Sequence, residues 1–104
     1  MNATRKLTFT RRRQFSGWAV KASIFIDGQD YGRVENGKSK TIEIPRGTQR
    51  VQIMSDTEVK GASGSRVTPK SDVEILRETD GDVAFTFRFK MGLNAGNIVL
   101  TRIV

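Results

Sequence analysis

In residues 20–53 apolar side chains fall on every second position, at Val20, Ala22, Ile24 and Ile26, at Ile42 and Ile44, and at Val51 and Ile53. That spacing puts them on one side of an extended chain, whose successive side chains point to opposite faces, and it does not fit a helical stripe. Asp27-Gly28, Asn36-Gly37 and Arg46-Gly47 punctuate the runs. In each dipeptide the glycine can take the positive φ that a tight reversal requires. The stretch therefore predicts short antiparallel strands with one covered face, joined by close turns.

The flanking sequence extends the same pattern. Thr4–Thr10 alternates Leu7 and Phe9 against Lys6, Thr8 and Thr10, and threonine and phenylalanine suit a pleated surface. Arg11 to Gly17 reads as a strand end and connection, or as a twisted continuation of the strand, and Trp18 to Asp27 as the next strand. Tyr31 to Glu35, Ser39 to Ile44 and Thr48 to Met54 follow. Pro45 has no N–H to give to a ladder, so the strand before it should stop there or lie at an edge. Residues 55–72, rich in Ser, Gly, Thr, Asp and Lys, read as a mobile loop. Val73 to Glu78 is a further strand, and Val83, Phe85, Phe87 and Phe89 alternate with Ala84, Thr86, Arg88 and Lys90 as the packed floor of a core. Ile98 to Val104 closes the chain with apolar groups on both faces, which suits a strand covered on two sides or an edge paired to a partner.

No run of ten residues shows the helical period. Seven or eight short strands in 104 residues predict a single all-β domain over residues 1–104: a two-layer antiparallel β-sandwich of immunoglobulin-like type, with a small closed barrel as the alternative.

The absence of cysteine and histidine removes disulfide scaffolds, thiolate and Ser-His catalysis and the commonest zinc ligands. Asp27 with Asp30, and Asp80 with Asp82, could be read as carboxylate pairs for acid–base work or calcium. Each pair sits in a turn that favours aspartate for its bond to nearby backbone. The sequence thus points to no enzyme, no cofactor and no metal. Gly61 to Arg66 resembles a phosphate-cradling turn but lacks the Gly-Lys-Ser/Thr ending and its helix. No apolar run approaches the roughly 20 residues of a membrane span, and no secretory leader follows Met1, so the expected compartment is the cytoplasm unless the chain is a piece of an exported protein.

Charge is unevenly distributed along the chain. Residues 1–53 hold eleven Lys/Arg against four Asp/Glu, whereas residues 54–104 hold seven of each. Candidate contacts to an anionic polymer are therefore Arg11, Arg12, Arg13, Lys21, Lys38, Lys40, Arg46 and Arg50, with Arg5 and Lys6 beside them. Phe15, Trp18 and Phe25 are candidate surface aromatics, Phe25 because it shares an otherwise polar face with Lys21, Ser23 and Asp27. The cations are read first as a solvated surface; the sequence leaves the partner unknown, with a protein or an anionic polymer open and nucleic acid not favoured.

Ile26-Asp27-Gly28, Gly32, Asn36-Gly37 and Pro45-Arg46-Gly47 make up a layout of strand, Asp-Gly, short strand, Asn-Gly, strand and Pro-x-Gly. In this it is similar to the small bacterial β-sandwich repeats of the PEGA kind, although the Pro-Glu-Gly-Ala box itself is missing. The resemblance covers residues 20–53. It implies an accessory domain, often of the cell envelope, with no chemistry of its own. Together with the residue inventory it leads to a non-catalytic binding or spacer module; the alternative is a basic β domain for nucleic acid or another polyanion.

Overall fold

The computed structural model describes residues 3–14, 21–56, 58–60, 64, 66–90 and 97–103. They form ten strands: β1 Thr4–Arg11, β2 Ala22–Ile26, β3 Gln29–Val34, β4 Ser39–Pro45, β5 Gln49–Ser55, β6 Val59–Lys60, β7 Arg66–Val67, β8 Glu74–Leu76, β9 Val83–Lys90 and β10 Asn97–Arg102. Eight of them build two four-stranded sheets, β10-β9-β1-β4 and β3-β2-β5-β8, and β6 pairs with β7 in a small ribbon. The two layers are the expected β-sandwich, and they do not close into a barrel.

Two details depart from the sequence expectation. β1 and β9 run parallel, with Phe9 opposite Phe85 and Arg11 opposite Phe87, in an arrangement otherwise antiparallel. Alternation alone carries no strand direction, so this pairing had no signature. The stretch 55–72, read as a mobile loop, contains the β6–β7 ribbon and is tied back to β5 at its far end. There Ser55 N donates to Pro69 O at 2.8 Å and Ser71 N to Ile53 O at 2.8 Å, with Pro69 and Ser71 buried.

The core lies between the layers where the period of two placed it. Leu7, Phe9, Ile24, Ile26, Val51, Ile53, Phe85, Phe87 and Phe89 are all buried. Because Phe9 and Phe85 face each other in a parallel pair, their rings stack with centroids 5.1 Å apart and planes 9° from parallel. The three β9 phenylalanines thus form the core floor that their alternation predicts. Asp27 and Gly28, at φ of 52° and 81°, make the two-residue reversal from β2 to β3 that Asp-Gly favours. Pro45 ends β4, an edge strand of its sheet. No helix among the described residues is long and apolar enough to cross a membrane.

The outer faces differ. On the β10-β9-β1-β4 sheet the exposed surface of β1 and β4 is hydroxylic, with Thr8 paired to Thr41 at 3.0 Å and Thr10 to Ser39 at 2.7 Å. On the other sheet Phe25, Gln52 and Met54 are half-buried, with Val73 and Ile75 exposed beside them.

Candidate functional site: a cationic corner and the ends of the sandwich

Two arginines of β1 stand where the two ends of the sandwich close. Arg5 and Arg11 share the inward face with Leu7 and Phe9, so alternation carries two guanidiniums into the core margin, where both are almost fully buried. The structure therefore corrects the reading of Arg5 and Arg11 as polymer contacts. A buried guanidinium must satisfy its donors inside the protein. Arg5 does so at both terminal nitrogens, three times with backbone and once with a side chain: Nη1 donates to the carbonyls of Arg77 at 2.6 Å and Asp80 at 2.9 Å, and Nη2 to Gly47 O and Gln49 Oε1, while the buried Nε makes no hydrogen bond. Burial lowers its pKa, with Asp80 opposing that shift, but arginine remains charged at any ordinary pH. Arg11 Nη1 donates to Val34 O at 3.1 Å, and its guanidinium lies 4.9 Å from the centroid of the Phe89 ring.

Beyond Arg11 the chain does not fray. Arg12 N donates to Phe87 O at 2.9 Å. The Gln14 side chain then pairs with the Phe89 backbone as a further strand residue would: Oε1 accepts Phe89 N–H at 2.7 Å and Nε2 donates to Phe89 O at 2.8 Å. On the other side Gln14 N donates to Asn36 Oδ1 at 3.0 Å and Asn36 Nδ2 to Gln14 O at 2.9 Å. Lys38 N closes the intervening turn on Glu35 O, and Arg11 N donates to Lys38 O. Gly37, at φ 74°, leaves room for the Arg13 stem, since a Cβ there would sit 3.3 Å from Arg13 Cβ.

This bracing presents a corner of positive charge. Arg12, Arg13 and Lys38 are exposed, and Lys90 is exposed at the end of β9. By alternation from Phe87 and Phe89, Lys90 and the half-buried Arg88 share the outer face of the sheet with Arg12. Sequence reasoning missed Arg88 and Lys90 because they come from the electrically balanced half of the chain. Parallel pairing of β1 with β9 brings them alongside the arginine run.

The other candidates are dispersed. Lys21 lies just before β2, at the same end of the sandwich. Lys40 reaches across from β4 toward β3, where its ammonium occupies the space a Cβ on Gly32 would need. Arg46 lies at the opposite end, with Nε donating to Thr4 O at 3.3 Å, and Arg50 is exposed beside the Asp27-Gly28 turn. Lys6 is exposed on the outer face of β1, away from the corner. Phe15 and Trp18 lie outside the described residues.

Each turn aspartate accepts a backbone N–H. Asp27 Oδ1 takes Arg50 N at 2.9 Å, Asp30 Oδ1 takes Gly32 N at 2.7 Å, Asp80 Oδ2 takes Arg77 N at 2.8 Å and Asp82 Oδ1 takes Lys6 N at 2.8 Å. The bond from Arg77, with help from Arg102, holds the Asp80 pKa below its ordinary value. Among the described residues no three acidic side chains gather as metal ligands. Set against known proteins, the chain matches no protein-family model, no curated protein and no solved structure.

Proposed function

We propose that this chain is a non-catalytic β-sandwich that serves as a binding or spacer module, of the kind found as accessory domains of bacterial envelope proteins. The observation that supports this is the state of the four turn aspartates. Each already accepts a backbone N–H, from its own turn at Asp30 and Asp80 and from a neighbouring strand at Asp27 and Asp82, so its carboxylate acts as a structural acceptor. The likeness of residues 20–53 to the PEGA-type repeats supports the same reading. Thermal melting in EDTA, in calcium and in magnesium tests it: the curves should superimpose. A midpoint that climbs with calcium concentration would reveal a site bound only by the folded state and overturn the reading.

The braced corner favours a second reading, a binder of phosphate-rich or otherwise polyanionic chains. Arg12, Arg13, Lys38 and Lys90 stand together on backbone that hydrogen bonds hold on both sides, so little ordering is needed on binding. Fluorescence polarisation with a random single-stranded oligonucleotide at low salt should show a complex that weakens steeply as salt rises. Arg12→Gln/Arg13→Gln should lower the slope of log affinity against log salt by about 1 to 2. Absence of a complex at low salt, or an unchanged slope, removes this reading.

A further inference from the structure

The two outer faces of the sandwich suggest that one of them has an occupant. The hydroxylic face satisfies itself by side-chain hydrogen bonds and suits solvent. The face built on β2, β5 and β8 instead holds a depression of about 550 Å³ in which Phe25, Met54 and Val73 supply apolar lining and Asp27, Gly28, Arg50 and Gln52 the polar groups. A concavity of this size, mostly apolar with few polar groups, is the usual form of a ligand site.

The neighbouring bonds determine which polar atoms are available. Asp27 N donates to Arg50 O at 2.9 Å and Asp27 Oδ1 accepts Arg50 N at 2.9 Å, so the turn is locked to the Arg50 backbone, not to its side chain. The Arg50 guanidinium is exposed and has no ion-pair partner among the described residues. Gln52 Nε2 donates to Ser71 O at 2.7 Å, which fixes its amide and leaves Oε1 as an acceptor. One guanidinium fork, one amide acceptor and an apolar floor are thus gathered within one depression, with the Asp27 carboxylate at its margin already taken up by the Arg50 N–H.

We propose that this depression binds the carboxy-terminal residue of a partner polypeptide whose last side chain is apolar. The side chain enters between Phe25, Met54 and Val73, the carboxylate takes the Arg50 fork, and the amide N–H of that residue donates to Gln52 Oε1. Arginine forks match a carboxylate in two parallel bonds, and terminal-carboxylate capture is a recurrent mode of peptide recognition. A membrane or a polyphosphate needs several cations side by side, as at the Arg12 corner; the single guanidinium of Arg50, whose neighbour Asp27 is bonded to backbone, suits one carboxylate. The site shares no residue with that corner and stands independently of the polyanion reading.

Nuclear magnetic resonance titration of the ¹⁵N-labelled chain tests it, with acetylated tripeptides ending in leucine or phenylalanine as free acids and as carboxamides. The free acids should give saturable shifts confined to Phe25, Arg50 to Met54 and Val73. Amidation of the peptide, or Arg50→Gln in the protein, should each weaken binding about tenfold. Val73→Lys, at an exposed position outside the strands, should abolish it with the melting curve unchanged. Shifts that never saturate at those residues, equal binding of acid and amide, or an Arg50→Gln variant that binds as the parent would each overturn the assignment.

Discussion

The two ends of the sandwich are closed by the same device and differ in what surrounds it. β1 turns an arginine inward at Arg5 and again at Arg11, on the same face and six residues apart. The Arg5 guanidinium is a hub: it gathers the carbonyls of Gly47, Arg77 and Asp80 and the amide of Gln49, joining the β4–β5 and β8–β9 connections. The Arg11 guanidinium rests on the Phe89 ring and donates to Val34, and Gln14 and Asn36 brace the chain beside it. The first end has its cation engaged with backbone and aspartates holding the adjoining turns. The second end leaves Arg12, Arg13, Lys38 and Lys90 facing solvent. Equivalent placement in a strand therefore does not make two arginines equivalent; the acceptors supplied by the connecting loops do.

Arg5 should be the most sensitive position at either end. Arg5→Met keeps much of the apolar stem but strands four acceptors, each costing about 1–3 kcal/mol if left buried and unsatisfied, with water recovering part. We expect a loss of about 3–5 kcal/mol in denaturant unfolding. Arg11→Met gives up the Val34 carbonyl bond and the Phe89 cation–π contact among its interactions, but frees no pair of connecting loops, and should lose less than the Arg5 variant does. Equal losses would break the contrast between a hub and a cover.

Gln14 sharpens the contrast from the other end. Its amide both donates to and accepts from Phe89, so the two substitutions Gln14→Ala and Gln14→Glu separate satisfaction from size. Alanine should lose about 1–2 kcal/mol by leaving both Phe89 backbone groups without their partner. Glutamate is nearly isosteric and keeps an acceptor for Phe89 N–H, yet it presents a second acceptor to Phe89 O and should be no better than alanine. Glutamate matching the parent in urea unfolding would show that the paired geometry contributes nothing.

How much of this was legible in the residues follows from which interactions are local. Period two placed Leu7, Phe9 and the β9 phenylalanines in the core, and Asp-Gly and Pro45 marked turns and an edge correctly, because these signals depend only on near neighbours. The same period also placed Arg5 and Arg11 on the inward face with Leu7 and Phe9. Their charge argues for the surface and parity for the interior, and parity prevails because the connecting loops supply acceptors that charge alone does not reveal. The corner itself could not be seen: Arg88 and Lys90 join Arg12 through a parallel pairing more than seventy residues apart in sequence, and the Gln14–Asn36 pair has no compositional signature. The depression at Phe25 was half legible, since parity set Phe25 outward but gave no hint that Val73 and Met54 would wall it in.

The smallest expected difference between the ends concerns acid. Asp80 accepts the Arg77 N–H at 2.8 Å and pairs with Arg102 at 3.3 Å, and these contacts hold its pKa below the ordinary 3.8. A carboxylate whose folded pKa is depressed adds stability that is fully present above its unfolded value and disappears as pH falls through the folded one. The parent should therefore show an acid loss of stability beginning near pH 4 that Asp80→Asn lacks, because asparagine keeps an oxygen for Arg77 N–H but carries no charge to titrate. The two stability curves should be separated at neutral pH and converge in acid. Added salt should narrow the neutral gap by screening the Arg102 pair and leave the part due to the Arg77 bond, since exposed ion pairs are screened more than a hydrogen bond. Acid limbs that run parallel would show that Asp80 holds its turn without using its charge, leaving the carbonyls alone as the partners that matter to Arg5.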